Sequence, residues 1–248
     1  MRKHRLWSHC RKPAAMAMIA AALLAGATTA SQAAVNPETT RAIFNASEQR
    51  IALSLANSAE RPALVQLWLD DGDIMAPPEQ ANAPVAVLPP VFRMMPGEIR
   101  SVQMVRGNTR ALPRDREALY WLNIYQVPPM TPREQEAQNK LVVPLRVRMK
   151  LFIRPEGIDP PADAGWQSLT FTRQQAGNDG PRLAITNPTP WYITLAGIQC
   201  GQQHTADVMV APKSTVNTEI PAAACQQIRY QVIDDQGNQR PFVSALRG

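Results

Sequence analysis

Short apolar–polar runs recur along most of this chain, and that rhythm limits its fold more than any other feature. "QRIALSLAN", "ALVQLWLD", "IRSVQMV", "LYWLNIYQV", "SLTFTR", "RLAIT", "WYITLAGI", "TVNTEI" and "IRYQVID" are such runs. Successive side chains of a strand point to opposite faces, so alternation with period two marks a half-buried strand. The turn-forming stretches "DDGD", "MPGE", "GNDGP", "NPTP" and "DDQGN" separate the runs. Many short strands at roughly 8–12-residue spacing read as antiparallel sandwiches. Helical periodicity is weak, and the polar "TPREQEAQNK" reads as a loop. The expected fold class is all-β.

One run differs in length. In "NKLVVPLRVRMKLFIRP", residues 139–155, Leu141, Val143, Leu145, Val147, Met149 and Leu151 alternate with Arg146, Arg148 and Lys150. That is about twice the usual strand of ~5–6 residues. A strand that outruns its neighbours has a part that serves something other than its own domain. The plain alternative is that all six apolar residues pack one core.

The stretch "RPEGIDPPADAGW" is rich in proline and shows no alternation, so it reads as a linker. The chain then divides into residues 1–33, a first sandwich at 34–154, a linker at 155–161 and a second sandwich at 162–248. Each sandwich is near the ~100 residues of an immunoglobulin-like domain.

Residues 1–33 read as a secretory signal peptide. Arg2, Lys3, Arg5, Arg11 and Lys12 precede the apolar "AAMAMIAAALLAGA", small residues follow at Ser31-Gln32-Ala33, and the first acid is Glu38. A basic start, a short apolar core and a small-residue cleavage site define such a leader. Cleavage after Ala33 or Ala34 fits. The apolar core is shorter than the ~20 residues a membrane span needs, so an exported protein without stable membrane insertion is expected. Removing five of the 26 basic residues leaves 21 against 20 acids, a net +1. The high pI is then largely a leader effect, and nucleic acid is not an expected partner. Of three cysteines, Cys200 and Cys225 lie outside the leader. Export favours a disulfide between them over two free buried thiols.

Catalytic chemistry finds little support. His204, in the polar "CGQQHTAD", is the one histidine outside the leader, and no GxSxG, Walker loop or GxGxxG occurs. The spacing Cys200…His204…Cys225 matches no compact metal motif, so no metal or cofactor is expected. "NAS" at Asn45 fits the glycosylation pattern, but three residues carry little weight.

Longer blocks carry a resemblance. "TTRAIFNASEQRIALSLAN", "LPPVFRMMPGE", "LPRDREALYWLNIYQVPP" and "LRVRMKLFIRP", followed by "ITNPTPWYITLAGI", "VMVAPKST" and "IDDQGNQRP", resemble in order the signature blocks of periplasmic pilus chaperones of the chaperone–usher pathway. The resemblance implies two immunoglobulin-like β-sandwiches in an L or boomerang shape. It implies a non-enzymatic periplasmic chaperone that binds, folds and caps pilus subunits by donor-strand complementation and delivers them to an outer-membrane usher. Leu141, Val143, Leu145 and Val147 would be donor residues, each buried aliphatic contributing roughly 1.5–3 kcal/mol. Arg41 and Lys150 match the family pair that anchors the subunit's C-terminal carboxylate. Glu117, Arg154 and Asp235 match an interdomain ion network, and Cys200–Cys225 would staple the second domain. Two departures stand out. Pro144 lacks an N–H within the donor segment, and the loop from Met130 to Lys140 lacks the cysteines of the long-loop branch. The competing readings are a secreted two-domain adhesin or pilus structural protein, and a hydrolase using His204.

Overall fold

A computed structural model of the chain describes residues 35–107, 112–129, 143–175, 180–205, 207–222 and 225–247. The first half supplies nine strands: β1 (Val35–Pro37), β2 (Arg41–Asn45), β3 (Arg50–Asn57), β4 (Ala63–Asp70), β5 (Val85–Leu88), β6 (Val91–Met94), β7 (Ile99–Arg106), β8 (Ala118–Val127) and β9 (Leu145–Arg154). They form two sheets, ordered β1-β3-β7-β5 and β2-β9-β8-β4-β6. Alternation sorts the side chains. Ala63, Val65, Leu67 and Leu69 of β4 enter the space between the sheets, where they join Leu53 and Leu55 of β3 and Val102 and Met104 of β7.

The chain changes sheet at two places. β1 pairs with β3, whereas β2, three residues on, pairs in parallel with β9. β5 pairs with β7, but β6 pairs with β4. Pro89 and Pro90 occupy that second crossing, where missing N–H groups cost no ladder bond.

The second half contains α1 (Asp163–Trp166), β10 (Thr170–Gln175), β11 (Pro181–Asn187), β12 (Ile193–Cys200), β13 (Gln203–Thr205), β14 (Val208–Val210), β15 (Ser214–Pro221), β16 (Gln227–Ile233) and β17 (Gln239–Arg247). A parallel pair between β10 and β17 joins its sheets. Its core holds Phe171, Leu183, Ile185, Leu195, Ile228, Tyr230 and Val232 and shares no residue with the first. The end of the linker-like stretch is structured: α1 inserts Trp166 into the second core, since an indole is too large an apolar surface to leave in water. His204 lies exposed on the short β13.

Each half uses one asparagine the same way. Asn57, ending β3, donates Nδ2 to the carbonyls of Arg61, Met94 and Met95. Asn187, ending β11, donates to those of Trp191, Val210 and Ala211. Both are buried, and each satisfies carbonyls at the lip of its sandwich.

Cys200 and Cys225 are joined as a disulfide, with Cα atoms 5.5 Å apart and a sequence separation of 25. Closing a loop of that length restricts the unfolded chain and contributes about 3–4 kcal/mol. Replacing both cysteines with serine should lower second-domain stability by about that amount, read as an earlier urea midpoint. An unchanged midpoint would deny the bridge a stabilising role.

Candidate functional site

The site grows from the unequal surroundings of β9. Along its whole length β9 pairs with β8, from Leu145↔Gln126 to Ile153↔Ala118. On the other side β2 reaches only Lys150 to Arg154. Among the described residues, no strand pairs with the second edge of Leu145–Met149. Among the described residues, half of one strand therefore shows a row of backbone donors and acceptors without a strand partner.

Its side chains follow the same division. Met149, Leu151 and Ile153 are fully committed to the first core. Val147 packs against that core only in part. Leu145 is half-buried, and Val143, just before the strand, is 55% exposed. Val143 and Leu145 line an open cavity of about 400 Å³ together with Pro62, Ala63 and Pro128. β9 begins at Leu145. Val143 and Pro144 are exposed and outside it, consistent with the missing N–H of proline. Leu141 lies outside the described residues, as does the expected loop from Met130 to Lys140.

Two cations stand where the free edge ends. Arg41 and Lys150 are register partners across β2 and β9. Alternation puts both on polar faces, yet Arg41 is 6% exposed. The reason is tertiary: the second domain covers the polar face of β2, and Arg41 Nη1 donates to the carbonyl of Ile233 at 3.1 Å. Its Nε is buried with no hydrogen-bond partner. Burial pushes the Arg41 guanidinium below its ordinary value, opposed by Asp235, Asp234 and Glu117. Burial also pushes the Lys150 ammonium down. Arg41 adds to that effect and Asp207 opposes it. Lys150 Nζ lies 5.7 Å from the Trp121 ring centroid. Two adjacent, partly desolvated cations make a site that favours an anion.

The neighbouring carboxylates are already engaged. Arg154 donates Nε and Nη2 to Glu117 Oε1, both at 2.8 Å, and its Nη2 lies 2.9 Å from Asp235 Oδ2. Glu117 Oε2 accepts from the Tyr192 amide at 2.9 Å, and the Glu117 amide donates to the Pro190 carbonyl. One acid of the first domain thus holds two points of the second. Burial lifts the Glu117 carboxyl above its ordinary range, although Arg154 and the Tyr192 amide pull it back. Close approach of the β16–β17 turn makes this geometry accessible. Gly237 has φ +88°, and a Cβ there would sit 2.8 Å from Thr40 Oγ1. Neither Tyr192, the Ile233 carbonyl nor Gly237 was singled out from the sequence. Backbone partners leave no residue-type signal, and the glycine shows only as part of a turn.

Residues 34–159 match the family model described as pili and flagellar-assembly chaperone, PapD N-terminal domain. Residues 164–243 match the PapD C-terminal domain of pili assembly chaperones. Chaperone protein FimB/FhaD of Bordetella pertussis is 32% identical over 243 residues, 95% of this chain and 98% of that protein. MrkB of Klebsiella pneumoniae is 31% identical over 204 residues, covering 80% and 85%. Among solved structures, the Pseudomonas aeruginosa CupB2 chaperone superposes with a TM-score of 0.70 at 32% identity, covering 85% of this chain and all of that one. A chain from the Salmonella enterica complex of SafA pilin with the SafB chaperone gives 0.72 at 30% identity, covering 86% and 96%.

Removing one partner of a buried ion pair strands the other, at about 3–5 kcal/mol. Glu117→Ala leaves the buried Arg154 with Asp235 alone. It should lower stability by that order and separate the unfolding transitions of the two domains in urea. Coincident transitions at the wild-type midpoint would remove the network from the interdomain contact.

Proposed function

Because this chain belongs to the family of pili-assembly chaperones, we propose that it captures pilus subunits on the open edge of β9 and passes them to an outer-membrane usher. It is an assembly chaperone of the periplasm, not an enzyme. Residues 1–33 serve as its export signal, and the working protein comprises sandwiches at 34–154 and 162–248 joined by 155–161. The separate cores support that division.

One observation carries the reading: the open edge of a half-paired strand ends at a pair of cations short of anions. An unfinished sandwich has the complementary defects, an open edge and an uncovered apolar groove. A lent strand repairs both. Its backbone pairs with the guest's edge, and alternate side chains fill the groove. Leu141, Val143, Leu145 and Val147 are those side chains. Val147 is shared with the chaperone's own core, and Val143 and Leu145 are the most available of the described ones. Pro144 offers no N–H, so one ladder bond is absent there.

Arg41 and Lys150 receive the guest's terminal carboxylate. A carboxylate supplies Arg41 Nε with the acceptor it lacks and relieves the repulsion between the two cations. It also sets register, since a fixed chain end decides which guest residue faces Leu145. Charge-assisted hydrogen bonds of this kind contribute about 1.5–3 kcal/mol each.

Arg41→Ala or Lys150→Ala should therefore cut recovery of a co-expressed pilus subunit about ten- to hundredfold while the chaperone stays folded by circular dichroism. Val143→Asp should do likewise through the groove. Undiminished recovery from the first pair would remove the anchor, and from the third the donor role.

Lys150 also sets a pH dependence. Anchoring needs the ammonium, and burial depresses its pKa below the ordinary 10.5. Affinity then declines as pH rises through that lowered value, earlier than an exposed lysine would dictate. Lys150→Arg, which keeps its charge, should lose the alkaline decline in a titration of dissociation constant against pH. Parallel curves for both proteins would contradict the assignment.

A further inference from the structure

The donor face of β9 has an opposite, polar face, and one buried acid organises it. Asp70, at the end of β4, is 1% exposed. Its carboxylate accepts from Arg148 Nη2, from Asn123 Nδ2 at 2.6 Å and from the Gly72 amide at 2.8 Å. Arg146 Nη2 lies 3.5 Å from the same carboxylate. Each arginine also lies over an indole, with the Arg146 guanidinium 4.8 Å from the Trp68 ring and that of Arg148 4.8 Å from Trp121. Arg146 further donates to Asn123 Oδ1 at 2.8 Å and to the Ile74 carbonyl at 2.6 Å.

Both arginines belong to the half of β9 that has one neighbouring strand. A strand paired on one edge loses order readily, and the entropy of re-ordering it would fall on every capture event. All the tethers described run back to β4, β8 and the turn after β4, and none reaches across the open edge. They hold the segment without occupying the side a guest would use.

We propose that Asp70 is a positioning residue for subunit capture. It draws Arg146 and Arg148 down onto Trp68 and Trp121, and so keeps Leu145–Met149 extended before a guest arrives. The arrangement also resists slippage. A shift of one residue would turn both arginines toward the core and Val147 toward the tryptophans. The role in capture rests on the donor-strand reading above, whereas the ordering of β9 does not.

The test compares wild type with Asp70→Asn, which keeps the shape and removes the charge. Amide hydrogen exchange on the free proteins should accelerate at least tenfold in Leu145–Met149, with Leu151–Arg154 and the second domain unchanged. Capture of a pilus subunit lacking its own donor extension, diluted from urea, should slow at least tenfold. If Asp70→Asn does not fold, Arg146→Met gives the same readouts, since it keeps an apolar stem over Trp68 and breaks the contacts with Asp70, Asn123 and Ile74. Unchanged exchange in Leu145–Met149, or uniform acceleration across the first domain, would overturn the clamp. A wild type that captures no subunit overturns the donor-strand reading and the capture role with it. The exchange pattern still decides whether Asp70 orders the strand.

Discussion

Among the described residues, β9 has two strand neighbours at one end and one at the other, and the rest of the molecule is arranged around that difference. At the junction end it is a core strand: Met149, Leu151 and Ile153 are buried, and Arg154 is locked between acids of both domains. At the open end its edge has no strand partner among the described residues. An exposed edge invites uncontrolled pairing, so a protein that keeps one must hold it stiff and restrict what can dock. On the reading proposed above, stiffness comes from the polar face and selectivity from the cations at the strand's midpoint.

Those cations are short of acids because the second domain distributes the available ones unevenly. Asp235 meets Arg154, while Asp234 turns inward to its own Gln236 and Asn238 amides and to Arg240. Among the described residues, Arg41 receives a backbone carbonyl from the second domain, and Lys150 faces the indole of Trp121 in its own domain. Neither contact cancels a charge. The interdomain contact thus does more than join two sandwiches: it desolvates Arg41 without neutralising it, which raises the value of any carboxylate that enters.

How much of this was legible depends on the range of the interaction. β3, β4, β7 and β8 could be read directly, because alternation is a local consequence of one buried face. β17 was not picked out, since Pro241 and polar neighbours interrupt its pattern and its burial comes from β16 and β10. β4 reads as one-sided, yet Trp68 and Asp70 on its second face are buried too, covered by arginines from β9. The length of the run at 139–155 was legible, but its start was not: Val143 and Pro144 lie outside the strand. Arg41 misled for a related reason. Alternation assigns a face but does not say what lies against it.

The sequence by itself determined the all-β class, the two-sandwich organisation and the family, because alternation, turn residues and contiguous blocks are properties of neighbours in the chain. Only the tertiary structure decided that β2 stops at Lys150 and leaves half of β9 open, that Arg41 is buried with an unpaired Nε, and that Asp70 gathers two arginines onto two tryptophans. Each of these joins residues distant in the chain. Whether a charge is solvated, paired or stranded depends on what the fold places beside it.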